Sequence, residues 1–112
     1  MAIKQLKLTR HDLQPYYYAK AKQSDGAAIN LTGAAIVCTM KNISTGVAKI
    51  DRRATGITVT NAVNGEFEQR WVNGDTDTVG SYYIEFEVIP QVGGKFTLGT
   101  GCVSIIEGQD NN

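Results

Sequence analysis

The segment SYYIEFEVI, residues 81–89, alternates apolar and polar side chains with a period of two. Successive side chains of a β-strand point to opposite faces, so this pattern predicts a strand with one buried face. The same alternation, rich in β-branched and aromatic residues, returns along the chain between short Gly, Asn and Asp turns. Ten stretches are strand-like: residues 2–8, 16–23, 28–31, 35–42, 46–52, 57–63, 66–72, 81–89, 95–98 and 102–107.

About seven to nine short strands in a chain of this length pack most economically as two sheets face to face. We therefore predict an all-β fold with a single domain, an immunoglobulin-like antiparallel β-sandwich. The predicted domain covers residues 15–107. It follows an N-terminal arm or edge strand, 1–14, and precedes a flexible polar tail, 108–112. Because the arm alternates too, we expect it to join a sheet of this chain or of a neighbour.

The charge balance narrows the range of partners. Eleven basic and eleven acidic side chains cancel, so no net field favours nucleic acid or anionic lipid. Apolar runs are far shorter than the ~20 residues that span a bilayer, and the first residues lack the apolar stretch of a secretory signal. We expect neither a nucleic-acid nor a membrane partner, and synthesis in the cytoplasm without export by that route.

Strand phase argues against a disulfide between the two cysteines. Cys38 shares its phase with Ile36 and Met40, which predicts a core position, whereas Cys102 alternates with Val103 and falls on the outer face. Both are predicted to be free thiols in a reducing compartment.

The sequence NGDTDTVG begins like a calcium-binding loop. Asp75 and Asp77 have the required spacing, but Val79 and Phe86 stand where the fifth and twelfth positions of such a loop need oxygen ligands. We therefore predict no metal site.

The alternation of residues 66–72 places Phe67 and Trp71 inside and leaves Glu66, Glu68 and Arg70 outside. If this strand lies beside residues 81–89, Arg70 would pair across strands with a carboxylate of that segment.

Residues 81–89 expose Glu85 and Glu87 on a solvated face, where nothing would separate their pKa values for acid/base catalysis. His11 is the single histidine and lies in a polar connector, so no nucleophile–histidine arrangement is evident. We predict a protein that is not an enzyme and needs no cofactor.

One stretch, PYYYAKAK, has the composition of a binding surface. If Tyr17 faces the core, then Tyr16, Tyr18, Lys20 and Lys22 point outward as a stripe of tyrosine and lysine. The stripe is a candidate interaction surface for a protein partner, or for a sugar or single-stranded nucleic acid. An ordinary solvated strand face remains the alternative.

The segments SDGAAINLTGAAIVCTMKN and DTDTVGSYYIEFEV, with NGEF between them, resemble a known family. They are similar to the immunoglobulin-like domain at the N-terminus of bacteriophage baseplate upper proteins, and to related small β-sandwich proteins of phage tails and heads. The resemblance covers residues 15–106. It implies a structural protein of the virion that binds other phage structural proteins of the capsid, tail or baseplate, with self-association as an option.

The resemblance also implies roles for one loop. Asp75 and Thr76 would brace the loop before Gly80, and Tyr82 would enter the core, as in the tyrosine corner of immunoglobulin folds. Ile84 stands where an antibody domain has a cysteine.

This chain departs from the family in KFTLGTG, where a proline is usual, and it does not continue into the scaffold of a baseplate upper protein. We therefore expect a head decoration, head completion or tail accessory protein. A carbohydrate- or ligand-binding module that uses the tyrosine and lysine stripe is the alternative.

Overall fold

The computed structural model describes residues 4–23, 25–98 and 101–108. Regular structure in these residues is entirely β, with no helix. The strands are β1 Lys4–Thr9, β2 Tyr17–Lys20, β3 Ala35–Asn42, β4 Ala48–Arg53, β5 Ile57–Asn61, β6 Glu66–Gln69, β7 Gly80–Ile89, β8 Phe96–Thr97 and β9 Gly101–Ile106.

The larger sheet, sheet A, has the strand order β1-β9-β7-β3-β4, and β8 also pairs with β7. Strand β7 is the centre of this sheet, since β3 pairs along one of its edges and β8 and β9 pair with it as well. Part of the predicted arm forms β1, which pairs with β9 from Lys4 opposite Gly101 to Thr9 opposite Ile106. This pairing is parallel, so the expectation of purely antiparallel sheets was wrong at this edge.

The smaller sheet, sheet B, has the order β2-β6-β5 and is antiparallel. Both sheets contribute to one hydrophobic core. Phe67 of sheet B meets Phe86 of sheet A edge to face with ring centroids 4.9 Å apart, and Tyr17 lies 5.7 Å from the same ring. The two sheets therefore enclose a common apolar layer, and the predicted all-β architecture of two sheets is confirmed.

The predicted strand phases agree with the observed burial in most places. The inward set of β7 is buried, and so are Phe67 and Trp71. The predicted strand 28–31 is not a strand; it contributes an isolated bridge between Ala28 and Lys22. Several predicted strands are also longer than the observed ones, because turn residues at their ends leave the ladder.

The turn between β5 and β6 shows why the chain reverses at Asn64-Gly65. Gly65 has a φ of 73°, and a Cβ there would lie 2.6 Å from the carbonyl oxygen of Ala21 and 2.7 Å from that of Ile29. Only glycine tolerates both the conformation and this close approach of backbone. The turn thereby joins the β5–β6 hairpin to the chain that follows β2, where the Ala21 N–H donates to the Gly65 carbonyl.

Candidate functional site

The loop between β6 and β7 contains the predicted corner. Tyr82, the third residue of β7, is buried, and its hydroxyl donates to the carbonyl oxygen of Thr78 at 2.9 Å. Gly80 begins the strand. Thr76 is also buried, and its Oγ1 donates to the Asp12 carbonyl at 2.9 Å. The loop is therefore bound through Thr78 to the side chain of Tyr82 on β7, and through Thr76 to the connector that follows β1.

Asp75 is the most enclosed carboxylate of this loop, with 4% exposure. Its two oxygens accept bonds from Nη1 and Nη2 of Arg53 on β4, each at 2.7 Å, and Oδ2 also accepts the Val72 N–H at 2.9 Å. The paired carboxylate raises the pKa of the Arg53 guanidinium. Asp75 therefore connects the loop to the edge strand β4, a partner that sequence reasoning did not identify.

Asp77, two residues further on, is exposed and bonds to Lys49 of β4 and to the hydroxyl of Thr78. The hydrogen bond from Lys49 lowers the pKa of Asp77. The two aspartates are thus each paired with a different cation. Among the described residues, no group of three or more His, Cys, Asp or Glu side chains could hold a metal ion.

Glu87 on β7 was predicted to lie on a solvated face, and in the structure two cations contact it. Glu87 bonds to Arg52 and lies 3.3 Å from Lys95, and the hydrogen bond from Arg52 is the main cause that lowers its pKa. The predicted pairing of Arg70 with Glu85 or Glu87 is wrong, because β6 and β7 belong to different sheets.

Arg70 instead pairs with Glu68, two residues before it. Glu68 was expected in solvent, yet it is only 5% exposed although its phase places it on the outer face of sheet B. The guanidinium of Arg70 also lies 5.2 Å above the ring centroid of Tyr16. Arg70 on this face therefore contacts both the carboxylate of Glu68 and the ring of Tyr16.

The predicted stripe lies on this same outer face. Tyr18 is 55% exposed, Lys20 and Lys22 are exposed, and Tyr16 is half-buried with its ring centroid 6.4 Å from that of Tyr18. The ammonium of Lys20 is 3.9 Å from the carboxylate of Glu66 on β6. We call the patch formed by Tyr16, Tyr18, Lys20, Glu66, Glu68 and Arg70 the tyrosine–arginine face.

The tyrosine–arginine face also contains a depression of about 350 Å³, lined in part by Tyr18, Lys20, Thr60 and Glu66. Aromatic side chains and arginine are the residue types most enriched at the centres of protein interfaces. The structure therefore brings together Tyr16, Tyr18 and Lys20 of the predicted stripe, and adds Glu66, Glu68 and Arg70 of the neighbouring strand β6 and the residue after it. Lys22 lies beyond the end of β2.

The two cysteines are free thiols in the structure, as predicted. Cys38 is buried, and burial raises its pKa to about 12, so its thiol is not ionised at neutral pH. Cys102 is half-buried. His11, the single histidine, is exposed in the turn after β1. The described residues include no helix with the length and apolar character needed to cross a membrane.

Comparisons of the chain with protein-family models, with curated proteins and with solved structures found no match. The family suggested by the sequence segments therefore stays a prediction.

Proposed function

We propose that this chain is an immunoglobulin-like structural protein of a bacteriophage particle and works through protein–protein contact, without catalysis. The observation that carries the proposal is the strand order. In an immunoglobulin domain one sheet contains strands in the order C′-C-F-G and the other in the order B-E-D. Here β4-β3-β7-β9 and β2-β6-β5 have the same order along the chain and across the sheets.

The corner at Tyr82 supports the same assignment. Immunoglobulin folds have a tyrosine near the start of strand F whose hydroxyl bonds to backbone a few residues upstream. Tyr82 occupies that place on β7, and its hydroxyl donates to the Thr78 carbonyl. The resemblance of DTDTVGSYYIEFEV to phage domains then suggests the virion as its location, after synthesis in the cytoplasm of the host bacterium.

The tyrosine–arginine face is the surface we assign to the contact with another capsid, tail or baseplate protein. Its Arg70 is oriented by both Glu68 and Tyr16, so less side-chain freedom is lost when a partner covers it. Tyr18 is the exposed aromatic anchor. Preorganised arginine and tyrosine side chains are typical of residues that dominate binding energy.

Quantitative mass spectrometry of purified particles tests this proposal. We expect the protein in stoichiometric copies in the wild-type particle, and its loss when Tyr18→Ala and Arg70→Ala are combined. Lys95→Ala, which changes an exposed cation just before β8, is the matched control and should leave the copy number unchanged. Detection of the protein only in lysate, and never in purified particles, would contradict the proposal.

A second candidate function rests on the depression beside Tyr18. An aromatic ring next to the ammonium of Lys20 and the carboxylate of Glu66 can stack on a sugar and bond to its hydroxyls. A glycan array with wild type and Tyr18→Ala distinguishes the two functions: specific binding lost in the variant favours a carbohydrate-binding module.

A further inference from the structure

The edge strands β1, β4, β2 and β5 differ in how they are protected. Edge strands carry unpaired backbone groups, and soluble proteins usually guard them with charged residues, proline or bulges. Strand β4 has four charged residues out of six and an irregular register with β3. Strands β1 and β2 include Lys7 and Lys20.

Strand β5, the outer edge of sheet B, has no such charge. Its sequence is ITVTN, and the whole segment 54–65 contains no charged residue, although a fifth of the chain is charged. The strand is rich in β-branched residues, and Val59 at its centre is 38% exposed. A register shift next to Thr60 is its one irregular feature.

The hydrogen bonds of the β5–β6 pair indicate which backbone groups face outward. The Arg70 N–H donates to the Gly56 carbonyl, so that carbonyl points to the β6 side. Backbone groups of successive strand residues point to alternate sides, so Thr58 also faces β6. The N–H and C=O of Val59 are therefore directed to the open side of the sheet, and the Ile57 N–H, which donates to Ala54, agrees with this alternation.

We propose that the β5 edge pairs with the β5 edge of a second copy of this chain, antiparallel about a two-fold axis at Val59. The strand is complementary to itself about this axis: Val59 meets Val59, and Thr58 meets Thr60. The register shift between Val59 and Asn61 places Asn61 opposite Glu66, so the pairing does not extend to Ile57 and Asn61. Cross-strand pairs of threonine and of β-branched residues are favourable. No like charges meet within the pair, and the zero net charge adds no long-range repulsion between copies.

Pairing at β5 would give a continuous sheet in the order β2-β6-β5-β5-β6-β2. The two tyrosine–arginine faces would then lie on one side of this sheet, with their β2 strands about 24 Å apart at ~4.8 Å per strand. A partner could bind both faces at once and gain from their effective concentration. The pairing itself does not rest on the proposed phage function, because it concerns the purified chain alone.

Self-association of the purified chain tests the proposal. Sedimentation equilibrium from about 1 µM to about 1 mM should show a reversible monomer–dimer equilibrium, since weak specific contacts dissociate in this range. Val59→Lys places like charges across the axis and should raise the dissociation constant at least ~10-fold. Val63→Lys is the matched control, because Val63 is an exposed valine of the next turn, and it should dimerise like wild type.

A second variant and a residue-specific measurement keep the test decisive. Val59→Pro removes the outward N–H without adding charge, so it should also lose the dimer while its melting curve shows a folded protein. In wild type, hydrogen exchange of the Val59 amide should slow as the protein concentration rises. A wild type that stays monomeric throughout, or a dimer unaffected by both Val59 variants, would overturn the proposal. Slowed exchange elsewhere, with none at Val59, would do so too.

Discussion

Asp75 and Asp77 stand two residues apart in one loop and have opposite environments. Asp75 is buried and gives both oxygens to Arg53, whereas Asp77 is exposed and binds Lys49 and Thr78 near the surface. Water can replace the partner of an exposed carboxylate, but it cannot reach a buried one. Burial, and not the presence of an ion pair, therefore decides which aspartate holds the loop in place.

The largest effect is expected for Asp75→Asn. The substitution leaves the partly buried Arg53 without its carboxylate, and breaking such a pair costs about 3 kcal/mol, at the lower end of the range for buried pairs because Arg53 keeps some exposure. Urea unfolding followed by tryptophan fluorescence of Trp71 measures the loss. If Asp75→Asn and Asp77→Asn destabilise the protein equally, the contrast between the two aspartates fails.

A smaller effect is expected for Tyr82→Phe. The variant keeps the ring in the core and loses the hydrogen bond to the Thr78 carbonyl, which should lower the free energy of unfolding by about 1 kcal/mol. Binding through the tyrosine–arginine face should not change, since Tyr82 lies in the core between the sheets. A variant that unfolds at the same urea concentration as wild type would remove any stabilising role for the corner hydroxyl.

The ion pairs of Asp77 with Lys49 and of Glu87 with Arg52 should matter in acid. The pKa values of Asp77 and Glu87 are lowered in the folded protein by Lys49 and Arg52. A group with a lowered pKa stabilises the fold above its unfolded pKa, and this contribution is lost as pH falls through the folded value. Stability should therefore decline below about pH 4.5, near the ordinary pKa of glutamate. The double variant Asp77→Asn, Glu87→Gln should show a shallower decline, and an identical pH profile would contradict this account.

The smallest effect is expected for Asp77→Asn alone at neutral pH. Its carboxylate is exposed, so the ion pair with Lys49 is screened and water replaces it readily. Thermal unfolding followed by circular dichroism should give a melting temperature close to that of wild type in low and high salt. A large, salt-sensitive drop would mean that this pair holds the loop as firmly as Asp75 does.

The sequence predicted the properties that depend on neighbouring residues. Alternation alone assigned the buried phase of β7 and the core positions of Phe67 and Trp71, because the side-chain period of a strand is a local property. The same alternation predicted that Cys38 faces the core and Cys102 the outer side, so that the two form no disulfide. The assignment of 28–31 as a strand failed, because a local pattern does not supply a neighbouring strand to pair with.

Partners across the fold could not be predicted in this way. Arg70 was expected beside the carboxylates of β7, but the sheet to which β6 belongs is a property of the whole topology. The bond between Arg53 and Asp75 joins β4 to a distant loop and has no local signature. Glu68 illustrates the same limit: its phase was outward as expected, yet neighbouring side chains cover it.

The parallel pairing of β1 and β9 has a mechanical consequence. Strand β1 begins beside the start of β9, so Lys4 and Ile106 lie at opposite ends of this pair, about 17 Å apart along the strands. A force that pulls these two residues apart slides the strands past each other and loads all six rungs of the pair together. A force applied at one end of the pair would instead break the six residue pairs one after another. Tension applied through both ends of the described chain therefore loads β1 and β9 in shear, the direction in which all six pairs resist at once.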